Sequence, residues 1–411
     1  MSRKKDKRGR RKKRIESREI TGLKYFEQLV PLLERLHDVG TARDKAGNRD
    51  LFMDQYCLLV LLFLFNPIID SLRGIQQASE LTKVQKRLGC GRASLGSLSE
   101  ATDIFDPQRL REIVEELGGH VESLGKRPEL QEVRTLLTAV DGSVIKTLSR
   151  LAEATHLRSP STGQPTYAWR LHMQFEVDRH LPSLLEVTGG ASKGEQDERR
   201  VLQRHLAPDR CYILDRGYQK FALFNAIHEA KSNYVCRIRD NSFYGPEEER
   251  ELDEAAREAN VVRDTMTTLG FDRRGADRPN HKIRVVVVKT TPHENRGKNR
   301  GPGSDGYLRL ATDMLDVPAD VIARIYQHRW CIEIFFRFLK HILGCRRLIS
   351  TDPVGVEIQT YCAIIACLLI VLYTGRKPTK RTYEMICFYF TGWATEDELI
   401  AHLQKLKSQA E

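Results

Sequence analysis

The amino-acid sequence predicts a mixed α/β fold preceded by an all-helical segment, and three observations carry that prediction. Residues 19–128 place apolar residues at helical spacing, as in FEQLVPLLERLHDVG. Near residue 133 the pattern changes to a run rich in β-branched and apolar residues, VRTLLTAVDGSVIKTL. Beyond it, strand-like and helix-like segments alternate, which implies a mixed sheet rather than an all-β or all-α core.

Taken in order, residues 1–18 are a basic arm with eleven Lys/Arg and two acids, a local net charge of +9 within a chain whose formal net charge is +11. Such a run repels itself and buries nothing, so disorder is expected, and a polyanion is its natural partner through counterion release. A solvated tail would have the same composition. In the helical segment 19–128, the run YCLLVLLFLF (56–65) reads as a core helix ending near Asn66-Pro67, and PQRLREIVEELGGH as a helix stopped by Gly118-Gly119. A compact helical domain behind a basic arm is a candidate DNA-binding module, although packing or dimerisation would serve equally.

Residues 129–240 supply the first part of the α/β core. A strand leads to Asp141-Gly142-Ser143, a polar loop occupies 158–166, and WRLHMQFEVDRHLPSLLEVTGG reads as a hairpin. The helix EQDERRVLQRHL, the buried strand CYILDRGY ending at Asp215, a helix over 219–231 and the strand NYVCRIR follow. Residues 241–306 read as a β-rich insertion with an acidic segment, strands VVRDTMTTL and KIRVVVVKT, and the Gly-rich loop HENRGKNRGPGSDG. Residues 307–375 return to the core through strand YLRLATDM, a long helix after residue 318 and the apolar helix YCAIIACLLIVLY (361–373). Residues 376–411 form a helical tail. Both apolar runs, at 10 and 13 residues, are shorter than the ~20 needed to span a bilayer.

Several classes of chemistry are disfavoured. Nine cysteines are scattered with no Cys-x-x-Cys pair, so neither a disulfide framework nor a cysteine zinc site is indicated, and reduced thiols in a cytoplasmic protein are the expectation. The basic start is not followed by the apolar stretch of a signal peptide. The histidines form no spaced cluster with cysteine or carboxylates, so zinc is not expected. No Walker loop or dinucleotide fingerprint implies a nucleotide. Trp169 and Trp330 read as core residues.

The most informative stretch is the helix after residue 318. Tyr326, Arg329, Glu333 and Lys340 stand at offsets 0, 3, 7 and 14. At ~100° per residue they share a stripe roughly 60° wide. Ile325, Ile332, Phe335, Phe336 and Leu339 occupy the adjoining face. A carboxylate among cations is commonly a surface ion-pair ladder, but Tyr and Arg beside an apolar face also suit phosphate.

The spacing Tyr-(2)-Arg-(3)-Glu-(6)-Lys resembles the signature of DDE transposases of the insertion-sequence-four family. TAVDGSV resembles that family's first-aspartate strand and ILDRGY its second, and Arg-Trp before the glutamate helix is also typical. The resemblance covers about 130–375. It implies a ribonuclease-H-like core with a β-rich insertion, and cut-and-paste transposition in which Asp141, Asp215 and Glu333 bind metal and carry catalysis. Two-metal phosphoryl transfer needs carboxylates converging on ions ~4 Å apart, and Mg²⁺, with Mn²⁺ tolerated, suits an all-carboxylate set. Tyr326, Arg329 and Lys340 would grip DNA phosphates, and Arg216 and Arg337 are further DNA-binding candidates. Asp178 and Asp209 read as turn or surface residues. The implied partners are transposon terminal inverted repeats and target DNA, held by a homodimer in the cytoplasm on the bacterial nucleoid. The separation of 118 positions from Asp215 to Glu333 resembles the branch that forms hairpin ends. A ribonuclease-H-like nuclease without strand transfer, or an inactive DNA-binding descendant, are the alternatives.

Overall fold

The computed structural model describes residues 30–39, 43–45, 47, 49–120, 130, 133–146, 155–158, 165–190, 193–240, 242, 245, 247–270, 278–290, 306–341, 344, 348–374 and 379–408. The basic arm 1–18, the loop 292–305 and the insertion aromatics Phe243, Tyr244 and Phe271 lie outside these residues. The chain divides into two compact units, one of residues 1–98 with 369–411 and one of residues 99–368.

Helices α1 (Val30–Glu34), α2 (Leu36–Val39), α3 (Met53–Phe65), α4 (Leu72–Ser79) and α5 (Thr82–Leu88) belong to the first unit, and α6 (Leu95–Ile104) begins in it. The α3 helix is apolar all round, as a helix enclosed by its neighbours must be, and Tyr56, Cys57, Leu59, Val60 and Leu61 are fully enclosed.

The second unit continues with α7 (Gln108–His120) and then the strands β1 (Leu136–Lys146), β2 (Thr155–Arg158), β3 (Pro165–Glu176) and β4 (Leu181–Gly189). Helix α8 (Glu198–Arg204), β5 (Arg210–Leu214), α9 (Phe221–Glu229) and β6 (Asn233–Arg237) follow. Next come β7 (Glu248–Glu249), α10 (Glu254–Glu258), β8 (Val261–Thr267), β9 (Ile283–Lys289) and β10 (Tyr307–Thr312). Helices α11 (Ala319–Gln327), α12 (Trp330–His341) and α13 (Pro353–Thr374) close the unit, and α14 (Lys380–Phe390) and α15 (Glu396–Ser408) return to the first, where the Tyr383 hydroxyl donates to the Leu64 carbonyl at 2.5 Å.

Ten strands form one mixed sheet in the order β2-β3-β1-β5-β6-β10-β9-β8-β7, with β4 paired to β3. β1 is antiparallel to β3 and parallel to β5, and β5 is parallel to β6. The strands of 241–306 extend this same sheet outward from β10. One face of the sheet packs Val140, Tyr212, Leu214, Tyr234 and Cys236 under Leu223, Phe224 and Ile227 of α9. Strand side chains alternate in direction, so Ala139, Asp141 and Ile213 point to the opposite face. There Phe335 of α12 meets Phe175, the β3 partner of Ala139, at 5.2 Å between ring centroids.

Two sequence readings change here. The strand carrying Asp141 does not end at Ser143 but runs on to Lys146, because β3 pairs with it throughout. The apolar helix is 22 residues long rather than 13. That is long enough to cross a membrane by length and composition, but the helix is largely buried in the fold. No disulfide joins the described cysteines.

Glu357 of α13 gives a stability prediction. Burial, with Glu186 and Asp106 nearby, pushes its carboxyl up to about 7, against a hydrogen bond from Gln108 Nε2 at 2.8 Å. A group raised in the folded state contributes its full stability below its unfolded value and loses it as pH rises through the folded one. Glu357→Gln therefore stabilises the protein by about 1–3 kcal/mol at pH 8 and has little effect near pH 4.5. Thermal melts across that range check this; a gain that does not change with pH would refute it.

Candidate active site

The parallel register of β1 and β5 brings the first two acids together. Leu136 pairs with Arg210 and Ala139 with Ile213, and the same register carried two residues further sets Asp141 opposite Asp215. Asp215 immediately follows β5 in an extended conformation (φ −82°, ψ 168°) before the turn Arg216–Tyr218. Both aspartates thus lie where β1 and β5 part company, on the face that α12 covers.

The third acid arrives from a helix that is not continuous. Between Tyr326 and Glu333 the chain tightens into i→i+3 bonds, with His328 N–H donating to Ile325 at 3.1 Å, Arg329 N–H to Tyr326 at 3.1 Å and Cys331 N–H to His328 at 3.0 Å. The single helix expected after residue 318 is therefore two, α11 and α12, and the uniform 100° stripe does not survive the junction. Its apolar side does, since Ile325, Ile332, Phe335, Phe336 and Leu339 are all buried.

The four residues of the stripe divide their contacts. The Tyr326 hydroxyl, on α11, donates to Asp215 Oδ1 at 3.3 Å. Arg329, at the junction, donates to Glu333 Oε1 at 2.5 Å, and its guanidinium stands 6.0 Å from the Tyr326 ring centroid. Lys340 Nζ donates to the Val144 carbonyl of β1 at 2.7 Å, fastening α12 to the strand that carries Asp141. Burial pushes the Tyr326 phenol well up, and the Asp215 carboxylate adds to it, so it is a neutral donor. Arg216 and Arg337 are exposed.

Asp141 is short of positive charge. Burial raises its carboxyl to about 6, and Glu198 and Glu333 push the same way. The Gly142 N–H at 2.8 Å and Arg329 oppose the rise without cancelling it. A desolvated carboxylate beside further carboxylates is a donor set that a divalent cation completes. The acids are not drawn into a single tight trio: among the described residues, the one set of three whose ligand atoms all lie within 4.8 Å of one another is His228, His281 and Asp313. A pair of ions ~4 Å apart asks for a more open arrangement than that.

Glu198 was not singled out from the sequence. It opens α8, whose cap Asp197 accepts from Arg199 N–H at 2.9 Å, and it is ion-paired with Arg170 of β3. A Cβ on residue 142 would stand 2.7 Å from Glu198 Oε1, so the glycine leaves room for this carboxylate beside Asp141 in the position it holds. The residues around Glu198 read only as a charged helix.

Other expectations resolve simply. Asp209 lies in a left-handed turn (φ 59°) before β5, and Asp178 in the β3–β4 turn. Trp169 is buried at 4% exposure, as expected, whereas Trp330 is 45% exposed and so is not a core residue. It begins α12 directly after the junction.

A profile of the transposase DDE domain matches residues 134–369, more than half of the chain and the span in which Asp141, Asp215 and Glu333 lie. The chain belongs to the DDE transposase domain family. Among relatives, y4zB of Sinorhizobium fredii, named as a candidate transposase, is 26% identical over 201 residues, 49% of this chain and 52% of that protein. A probable transposase for the insertion sequence element IS5377 of Geobacillus stearothermophilus is 26% identical over 230 residues, 54% and 55% of the two chains. The transposase for IS421 of Escherichia coli is 24% identical over 259 residues, 56% of this chain and 67% of that one. The chain thus spans about half the length of the first two. A solved piggyBac transposase synaptic complex with hairpin DNA aligns with a TM-score of 0.42 at 10% identity, covering 94% of this chain and 79% of that one. DDE membership implies use of a divalent metal.

Proposed function

We propose that this chain is a DNA transposase that cuts the ends of an insertion sequence and joins them to target DNA, with Asp141, Asp215 and Glu333 as its catalytic acids. The observation that carries this reading is the β1–β5 register, which sets Asp141 opposite Asp215, with Glu333 close enough for its charge to help raise the Asp141 carboxyl. The three acids would hold Mg²⁺, with Mn²⁺ tolerated. Such ions, when bound, activate the attacking water or 3′-hydroxyl and stabilise the leaving oxygen. The sheet order supports a ribonuclease-H-like core, since β1 lies between antiparallel β3 and parallel β5, with β6 beyond.

The protein's own groups have separable tasks. Tyr326 orients Asp215, Arg329 orients Glu333 and balances charge, and Lys340 fixes α12 on β1. In the DNA complex the same cations also meet backbone phosphates, with exposed Arg216 and Arg337 extending the contact. The helical segment 19–128 would read the terminal repeats, the arm 1–18 would add sequence-independent affinity, and a homodimer would pair two ends.

The resemblance to the hairpin-forming branch extends the reading to the second strand. The freed 3′-hydroxyl attacks the opposite strand, and the resulting hairpin is then opened by water. A pre-nicked, end-labelled terminal repeat of the element, incubated with protein and Mg²⁺ and run on a denaturing gel, should yield a strand of about doubled length. Absence of any cleavage would overturn the transposase reading. Double-strand cleavage with no such species at any time would overturn the hairpin alone.

A further inference from the structure

Three side chains that the proposed chemistry leaves unused meet at the other end of the sheet. His228 lies in the last turn of α9, His281 just before β9 and Asp313 just after β10. One ligand atom from each lies within 4.8 Å of the other two. Register fixes their location. Thr312 pairs antiparallel with Val235 in the middle of β6, so Asp313 comes beside Tyr234 and Asn233 at its start. Because β6 runs parallel to β5, the trio stands at the N-terminal ends of these strands. Asp215 follows the C-terminal end of β5. Three or four rungs at ~3.3 Å separate the two, roughly 10 Å or more, so the trio is no part of the acid site.

We infer that His228, His281 and Asp313 bind a transition-metal ion of the zinc class, a site distinct from the acid triad. His228 Nδ1 and Asp313 Oδ2 are 3.1 Å apart, close to the roughly 3.3 Å expected of two donors on one tetrahedral ion with bonds of ~2.0–2.1 Å. The imidazoles stack at 4.3 Å and 12°, with donor separations already within 4.8 Å. Because each nitrogen lone pair lies in its ring plane, a rotation of one ring out of the stack is what lets both nitrogens face one ion. The ligands are held from behind, as metal ligands commonly are. Asp313 Oδ1 accepts from Tyr234 N–H at 3.1 Å and Asn233 Nδ2 at 3.3 Å, which leaves Oδ2 for the ion. His281 has the Tyr234 hydroxyl 3.0 Å from Nε2 and Asn280 Oδ1 3.0 Å from Nδ1, so whichever nitrogen turns to the ion, the other stays tethered.

Two imidazoles and one carboxylate favour Zn²⁺ over Mg²⁺, which takes oxygen donors, and water completes the coordination. The function would be mechanical. The ion ties β9, in the outer part of the sheet, to α9 and β10, so it stabilises the sheet and does not enter phosphoryl transfer. Without it, the His228–Asp313 contact at 3.1 Å holds these two ligands in place.

The test is equilibrium dialysis of the full chain against micromolar Zn²⁺ in excess Mg²⁺, followed by metal analysis and thermal melting. Wild type should retain about one zinc per chain and melt several degrees higher with zinc. Asp141→Asn should keep both properties, and His281→Gln should lose both. His228→Gln, at a half-exposed position that tolerates substitution without unfolding, should also lose them. Zinc retention that both histidine variants share with wild type, or no retention by wild type, overturns the inference.

Discussion

Glu333→Gln should leave a folded protein that binds transposon ends but cuts them ~10³-fold or more slowly, because the charge stabilisation that a metal supplies is worth several kcal/mol. Glutamine keeps the shape of the side chain and an oxygen within reach of Arg329, whose 2.5 Å bond to Oε1 is the side chain's tether. It loses the charge that binds the cation. Side-chain exposures of 13% for Arg329 and 28% for Glu333 place the pair at the rim of the site, partly out of water, where an uncompensated guanidinium is tolerated at modest cost. Melting temperature and end binding should therefore stay near wild type while cleavage in Mg²⁺ disappears. Near wild-type cutting would remove Glu333 from the acid set. Loss of folding together with activity would be the signature of a structural ion pair instead.

How much of this was legible in the sequence depends on whether the signal was local. The strands carrying Asp141 and Asp215, the β3–β4 hairpin and the helix bearing Glu333 were readable, because each has its own periodicity and turn residues. The register that sets Asp141 against Asp215 was not, since it depends on which strand lies beside β1. The break at His328–Arg329 was also hidden. Neither residue is a breaker, and Ile325 and Ile332 on either side of the i→i+3 bonds are both buried, so the apolar pattern gives no sign of the junction. Strand β2 (Thr155–Arg158) exists by pairing with β3 and carries no alternation long enough to announce itself. Glu198 comes to Asp141 through the packing of α8 beside β1, where a Cβ on residue 142 would crowd its carboxylate. His228, His281 and Asp313 are far apart in the chain, so no spacing pattern could link them.

The outer strands hold the second large expected effect. Asp264 of β8 and Arg284 of β9 form a two-bond ion pair, Nε to Oδ1 at 2.8 Å and Nη2 to Oδ2 at 2.7 Å, with side-chain exposures of only 3% and 2%. The remaining guanidinium nitrogen, Nη1, donates to the carbonyls of Met314 and Leu315 at 3.3 Å and to that of Val317. These carbonyls belong to the segment that leads into α11, so one arginine ties the sheet to the helix that presents Tyr326 to Asp215. Asp264→Ala leaves that guanidinium buried with half its partners, which should cost about 3–5 kcal/mol in denaturant unfolding. The variant should also cut DNA more slowly, because the approach to α11 loosens. Restoring the pair's shape without its charge discriminates between causes. Asp264→Leu with Arg284→Met removes the stranded cation, so it should recover much of the stability. It should not recover all of the activity, since the Met314, Leu315 and Val317 carbonyls lose their donor. A cost below about 1 kcal/mol for Asp264→Ala would mean that water or Arg250, whose Nε stands 3.6 Å from Asp264 Oδ2, reorganises to satisfy the site. The buried pair would then not be what fixes the entry to α11.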